Sequence, residues 1–108
     1  MNPKLKAKWI AALRSGKYAQ VQGQLRQKPV GFCCLGVLCD ISPEIEWDGE
    51  MAFFEKESGP DVEWDDSMLP AGFRRHVGIS DEAQKILAEM NDGGSSFDEI
   101  ADCIEVYL

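Results

Sequence analysis

The longest apolar run of the chain, FCCLGVLCD at residues 32–40, is the feature that most limits how the protein can fold. No residue before its closing aspartate is charged or strongly polar, so we expect the segment to be buried on every side. In such a run, hydrophobic periodicity cannot separate a buried strand from a buried helix. We predict a helix over 32–41, because the run stops at Ser42-Pro43 and helices usually end before a proline.

The same run divides a basic front of the chain from an acidic back. Residues 1–39 carry seven Lys or Arg and no acid, whereas residues 40–108 carry all 19 acids against four bases. A formal net charge of −8 repels nucleic acid, so direct nucleic-acid binding is not expected. The acids either face solvent and the basic first helix, or they form a surface that meets a basic partner.

Length and composition predict a single small domain. With 108 residues, 44% of them hydrophobic and 28% charged, the chain has enough apolar material for one modest core and is not of a disordered type. No apolar stretch approaches the roughly 18–20 residues that span a bilayer. The lysine-rich start is followed by an amphipathic pattern and not by a signal peptide. We therefore expect an intracellular protein that does not enter a membrane.

Capping residues and helical periodicity predict helices on both sides of the central run. Asn2 and Pro3 suit a helix start, Ser80 suits a second, and Ser96 with Glu99 fits a capping box. The expected helices are 3–14, 70–76, 81–91 and a last one from Ser96 towards Leu108. The stripe of the 81–91 helix that we expect in the core consists of Ala83, Ile86, Leu87 and Met90.

Alternating residues and turn signals predict a small antiparallel sheet. Residues 18–25 alternate loosely and are predicted to form a half-buried strand. Asp48-Gly49 between two alternating runs predicts a hairpin, and residues 62–64 a further short strand. The hairpin side chains expected on one face are Ile45, Trp47, Met51 and Phe53. Together these elements predict an α+β fold, a single small domain of about four to five helices packed on a small antiparallel sheet.

The cysteines raise the question of whether the central run is also reactive. Thiols in an intracellular protein are expected to be reduced. Because the four cysteines lack the paired spacing of a zinc site, we predict neither a metal nor another cofactor. Buried, inert thiols are the main interpretation. The cysteines are Cys33, Cys34, Cys39 and Cys103.

A cysteine-dependent hydrolase is the catalytic alternative. Cys33 or Cys34 would lie at the start of a helix, where the helix dipole lowers a thiol pKa. His76, the only histidine, follows in sequence, and Asn91 or Asp92 follows that. This is the chain order of nucleophile, base and orienting group in papain-like hydrolases.

A second candidate site joins the polar ends of two apolar segments. Asp40 ends the central run, and Asn91 and Asp92 end the 81–91 helix. These side chains either bond the backbone of the following loops, or, together with Ser95, form a pocket that binds a small ligand or a nucleotide signal. The second alternative requires that folding brings Asp40 close to Asn91 and Asp92.

The acidic segment after the central run is the candidate for a partner-binding surface. Eleven acids fall within residues 40–66, against Lys56 as the one base. Tryptophans inside such a segment are either core residues or anchors for a partner. The residues expected to bind a partner are Glu44, Glu46, Trp47, Asp48, Glu50, Glu55 and Trp64.

Four stretches of the sequence carry a resemblance. They are residues 9–18 (WIAALRSGKY), 32–40 (FCCLGVLCD), 90–92 (MND) and 96–102 (SFDEIAD). This combination resembles a group of small proteins, mostly of unassigned function, that bacteriophages and prophages encode. The resemblance covers most of the chain and is weakest over 42–75. It implies a phage origin and a role in the cytoplasm of the host bacterium, outside the virion.

These observations predict a non-enzymatic accessory protein that binds and inhibits a host factor. The most concrete version is an inhibitor of a bacterial defence complex, similar in action to anti-CRISPR proteins, and its contact surface would be the acidic segment. The ligand-binding pocket and the cysteine hydrolase stay open as alternatives. The oligomeric state and the partner are not specified by the sequence.

Overall fold

The computed structural model of the protein describes residues 1–27, 31–54 and 67–108. Within these ranges, five helices and two two-stranded antiparallel sheets form one α+β unit, as the sequence predicts. The predicted strand at 62–64 lies outside the described residues. The elements in chain order are α1 Pro3–Arg14, β1 Arg26–Gln27, β2 Gly31–Phe32, α2 Cys34–Asp40, β3 Ile45–Asp48, β4 Met51–Phe54, α3 Ala71–Val77, α4 Asp81–Asp92 and α5 Phe97–Tyr107.

Three of the predicted helices begin at the capping residues that the sequence marks. The Asn2 side chain accepts from the backbone N–H groups of Lys4 and Leu5 at the start of α1. Ser80 caps α4, and Ser96 and Glu99 form a complete capping box at α5. Each cap supplies acceptors to backbone N–H groups that have no partner inside the helix, and such a cap typically contributes about 1 kcal/mol.

The central run is a helix, but a shorter one than predicted. Phe32 belongs to β2, where it pairs with Arg26, and Cys33 is the N-cap of α2. The Cys33 Sγ accepts a long hydrogen bond of 3.4 Å from the Gly36 N–H. Every residue of α2 except its terminal Asp40 is buried, so this helix forms the centre of the molecule.

The predicted strand over 18–25 is wrong. Gln20 makes a single parallel bridge with Phe32, and the rest of the segment is irregular until β1 begins at Arg26. Gly23 has a φ of 83°, a left-handed conformation that ends any strand at this position. The alternation of glutamines with smaller residues has a different cause, because the side chains of Gln20 and Gln22 bind α4.

The hairpin of β3 and β4 exists, but its inward face differs from the prediction. Asp48 pairs with Met51, so the two-residue turn consists of Gly49 and Glu50, with Gly49 at a φ of 61°. A shift of one residue exchanges the faces of a strand. Ala52 and Phe54 therefore face the core beside β3, and Met51 and Phe53 lie on the outer face with Glu46 and Asp48.

One hydrophobic core connects all five helices and the hairpin. The Trp9 indole N–H of α1 donates to the Cys34 carbonyl of α2 at 2.9 Å, both groups being buried. Gly36 lies directly against the backbone of Leu25, and a Cβ at this glycine would overlap the Leu25 carbonyl oxygen. Among the described residues, no helix is both long and apolar enough to cross a membrane.

Candidate functional site

Asn91, predicted as a ligand-binding residue, is completely buried and joins three parts of the fold. Its Oδ1 accepts from the Cys34 backbone N–H at 3.2 Å and from the Gln20 amide at 2.9 Å. Its Nδ2 donates to the Val21 carbonyl at 2.7 Å. One side chain of α4 thus holds the first residue of α2 and the irregular 18–25 segment. These bonds use most of the hydrogen-bonding capacity of an amide.

Asp92 and Ser95 continue the same connection towards solvent. The Asp92 carboxylate accepts from the Gly23 N–H at 2.9 Å, and the Ser95 carbonyl accepts from the Gln20 amide at 2.8 Å. Both contacts bond loop backbone or side chains of the protein itself. They correspond to the first of the two interpretations that the sequence allows, the bonding of loops by side chains at helix ends.

Asp40 lies apart from this cluster. It is the last residue of α2, whereas Asn91 contacts the first, and the rise of 1.5 Å per residue separates these helix ends by about 9 Å. Asp40 accepts from the Tyr18 hydroxyl at 2.7 Å. Burial, together with this bond to Asp40, raises the pKa of Tyr18 to about 12. The structure does not bring Asp40 together with Asn91 and Asp92.

A small cleft does open beside Asn91 and Asp92. It also touches Cys33 and Met68, and its volume is about 80 Å³. Ligand pockets for drug-sized molecules usually measure about 300–1,000 Å³. A cleft of this size holds a few water molecules and not a nucleotide.

The thiols of α2 and of its N-cap are buried, and burial is the main cause of the change in their pKa values. It raises the pKa of Cys33 to about 11, although backbone N–H groups of Gly36 and Leu35 act in the opposite direction. Burial raises the pKa of Cys34 and of Cys39 well above the usual thiol range. The Cys34 thiol donates to the Leu87 carbonyl at 3.6 Å. The expectation of a lowered pKa at the helix start is wrong, because loss of water outweighs the helix dipole.

His76 belongs to α3 and lines a surface groove, whereas these thiols are buried in α2 and at its N-cap. It is exposed on α3, its ring contacts Phe54 at a centroid distance of 5.3 Å, and it lines a groove of about 400 Å³ with Lys4, Lys8 and Glu44. No hydrogen bond joins it to a cysteine in the described part of the chain. A cysteine–histidine pair requires such contact.

The described ranges contain no group of three or more His, Cys, Asp or Glu side chains that could hold a metal ion. All four cysteines are free thiols, and three of them are enclosed by the core. The side chains that the sequence offers for metal or thiol chemistry are therefore dispersed or used in packing.

The predicted partner-binding residues of the hairpin divide into two groups. Glu46 and Asp48 are exposed on the outer face. Trp47 instead faces inward, where it contacts Phe32 and lies 4.4 Å from the Arg26 guanidinium. An inward Trp47 supports the fold and does not serve as an exposed anchor.

The remaining predicted contact residues are less exposed or lie outside the described ranges. The Glu50 carboxylate accepts from the Gln24 amide at 2.8 Å, and Glu44 is half-buried in the groove beside His76. Glu55 and Trp64 lie outside the described residues. The hairpin's exposed acids are thus Glu46 and Asp48.

Sequence reasoning missed an apolar groove between α4 and α5. Ile86, expected in the core, is 48% exposed, and Tyr107 on α5 is 81% exposed. Periodicity identifies the apolar side of a helix but does not tell whether another element covers it. The signal that could have found the groove is the presence of Val106 and Tyr107 beside the regular core stripe of α5. The groove has a volume of about 350 Å³ and is lined by Ala83, Ile86, Leu87, Cys103, Tyr107 and Leu108.

Comparisons with known proteins identify a family but not an activity. No curated protein and no solved structure matches the sequence significantly. One family model matches residues 1–85, from the start of α1 into α4. This range contains the whole of α2, the 18–25 segment and the hairpin. Since the match covers most of the chain, the protein belongs to the family described as Domain of unknown function (DUF8296).

Proposed function

We propose that the protein is a non-enzymatic accessory protein that binds and inhibits a protein of a bacterial host, most concretely a component of a defence system, in the host cytoplasm. The resemblance to small phage-encoded proteins supports a host factor as the partner. The internal bonding of Asn91, Asp92 and Asp40 supports binding over catalysis, because these candidate site residues already bond other parts of the protein.

The observation that carries the proposal is the composition of the outer hairpin face. Glu46 and Asp48 are exposed there, and the half-buried Met51 lies on the same side. Apolar area flanked by charge of one sign is typical of surfaces that bind an oppositely charged protein. A basic partner would gain steering from the net charge of −8 and apolar contact at Met51.

Affinity capture from a host lysate, with identification of the bound protein by mass spectrometry, tests this function. The test variant Glu46→Gln/Asp48→Asn removes two negative charges from the outer face. The control variant Ala7→Lys/Ala11→Lys changes the net charge by the same amount on the exposed side of α1. We expect the test variant to lose the partner and the control to retain it.

Inhibition is measured next with the purified partner. We expect the wild-type protein to reduce the partner's activity in proportion to binding, and the hairpin variant to leave that activity unchanged. Equal capture by the hairpin variant and the control would show that this surface is not the contact. A partner that binds but keeps full activity would contradict the inhibitory role.

A further inference from the structure

The exposed large apolar side chains of the described chain are concentrated in one place. They are Ile86 on α4, 48% exposed, and Val106 and Tyr107 on α5, 72% and 81% exposed. Single exposed apolar residues are common on protein surfaces, but neighbouring ones around a groove typically mark a binding site. Ile86 and Tyr107 line the α4–α5 groove, and Val106 precedes Tyr107 on α5.

The groove has the dimensions of a binding site for a few bulky apolar side chains. Its volume is about 350 Å³, and apolar atoms form nearly all of its surface. Leu87 and the half-buried Cys103 lie at its base, and Ile86 and Tyr107 form its two walls. Its lining comes from two helices, α4 and α5, and a groove between helices is the kind of site that binds an amphipathic helix.

The rim of this groove is acidic. On α4, Glu82 precedes Ile86 by one turn and Glu89 follows it by one turn, so both are its surface neighbours. On α5, Glu99 lies one turn before Cys103. Residues 81–108 carry eight acids and one base, Lys85, and this base already pairs with Asp81 at 2.9 Å. An occupant with positive charges beside its apolar face is therefore complementary.

The fold already contains one example of such recognition. On another face of α5 lies α1, a basic amphipathic helix whose Trp9 and Leu13 are buried. Arg14 of α1 pairs with Asp102 and, at 3.1 Å, with Glu105, and the Lys6 ammonium donates to the Glu105 carbonyl. Helix α5 thus binds a cationic amphipathic helix on this face by apolar contact and charge together.

We propose that the groove between α4 and α5 binds a cationic amphipathic helix of a partner protein. Leu, Ile or Phe side chains of that helix, spaced at i, i+3 or i+4 and i+7, fill the space between Ile86 and Tyr107. Its flanking Lys or Arg side chains face Glu82, Glu89 and Glu99. The inference rests on the proposed function in that the occupant is a protein, but it assigns a surface other than the hairpin.

A synthetic peptide tests the groove without any host protein. The probe is a 14-residue peptide of leucine and lysine with the leucines on one helical face, labelled for fluorescence anisotropy. The comparison peptide keeps the leucines and replaces every lysine with glutamate. We expect the Leu/Lys peptide to bind at least tenfold more tightly than the Leu/Glu peptide, because only the former matches the charge of the rim.

Variants in the groove identify the binding surface. Ile86→Ser and Tyr107→Ser should each weaken binding of the Leu/Lys peptide about tenfold, because each removes one apolar wall. The control variant Ala11→Ser, at an exposed position of α1, should leave binding of the Leu/Lys peptide unchanged. The hairpin variant Glu46→Gln/Asp48→Asn should also bind normally. If that variant binds the peptide normally but no longer captures the host protein, the hairpin face and the groove are two independent binding surfaces.

Three results would overturn the inference. Equal binding of both peptides would show that charge plays no part. Undiminished binding by Ile86→Ser and Tyr107→Ser would place the peptide elsewhere. A wild-type dimer in sedimentation equilibrium that Ile86→Ser converts to a monomer would identify a second copy of this chain as the occupant.

Discussion

Helix α4 takes part in two regions of opposite character, one that joins parts of the fold and one that leaves apolar side chains exposed. At its C-terminal end the polar Asn91 is fully buried and bonded to three partners. Five residues earlier, the apolar Ile86 lies half exposed at the wall of the apolar groove between α4 and α5. The polar side chain stabilises the fold, and the apolar one is available to another molecule.

In this protein, residue types that are frequent in functional sites serve the scaffold, and an apolar side chain is left exposed. Asn, Asp and Cys are frequent in functional sites, yet at the α2–α4 junction their polar atoms bond neighbouring backbone and side chains. No buried side-chain nitrogen or oxygen in the described part of the chain lacks a hydrogen bond. The groove, by contrast, leaves apolar area in water, which is unfavourable unless a partner covers it.

The largest effect should come from Gly36→Ala. The new Cβ would overlap the Leu25 carbonyl oxygen, so either α2 or the Leu25 backbone must move. We expect a loss of more than about 4 kcal/mol in the free energy of unfolding, or no folded protein, by urea denaturation. Gly16→Ala is the control, because its surroundings are open and only its φ of 75° is strained, at a cost of about 1 kcal/mol. Equal losses would show that α2 is not tightly fixed at the centre.

Alkaline pH should destabilise the junction through its thiols. Because burial raises the pKa of Cys33, Cys34 and Cys39 in the folded state, these groups keep protons that the unfolded chain releases above pH 9. Their contribution is complete below that pH and is lost as pH rises above it, and for Cys33 the loss ends near its folded-state pKa of about 11. We expect the free energy of unfolding to fall by about 4 kcal/mol per pH unit near pH 10, measured with a reductant present. Cys39→Ala should remove about a third of this slope, and a flat profile would contradict the burial of the thiols.

Removing the Asn91 side chain should lower the free energy of unfolding nearly as much as Gly36→Ala does. In Asn91→Ala, the Cys34 N–H, the Val21 carbonyl and the Gln20 amide lose their buried partner. We expect a loss of about 3 kcal/mol in chemical denaturation. The neighbouring Asp92→Ala, which removes one exposed bond to Gly23, should cost about 1 kcal/mol. A small loss of stability in Asn91→Ala together with a large loss in Asp92→Ala would contradict the roles given to these residues.

The smallest effect on stability should come from the groove. Ile86→Ser removes an apolar side chain that is already half exposed, so the free energy of unfolding should change by less than about 1 kcal/mol. Thermal denaturation of the purified variant measures this directly. A loss as large as that of Asn91→Ala would mean that Ile86 belongs to the core.

The sequence predicted those elements whose causes are local. Caps at Asn2, Ser80 and Ser96 mark the starts of α1, α4 and α5, and the apolar run at 32–40 identifies the buried centre. A cap bonds residues two or three positions away, so a short window of sequence contains its complete explanation.

The sequence could not predict features that depend on distant contacts. The hairpin register depends on whether Gly49 begins or ends the turn, and a difference of one residue exchanges the inward and outward side chains. The irregular 18–25 segment is held by Asn91, about 70 positions away in the chain. Whether a helix covers the stripe that contains Ile86 is likewise a property of packing and not of periodicity.

Site-resolved alkylation of the native protein compares the two regions in one measurement, because three cysteines lie in α2 or at its cap and Cys103 lines the groove. Iodoacetamide is added near neutral pH, and modified peptides are quantified by mass spectrometry over time. We predict that Cys103 is modified first and that Cys33, Cys34 and Cys39 react only at the rate at which the protein unfolds. Modification of Cys33 or Cys34 as fast as Cys103 would contradict the account, since it would make the α2 junction a reactive site and not a scaffold.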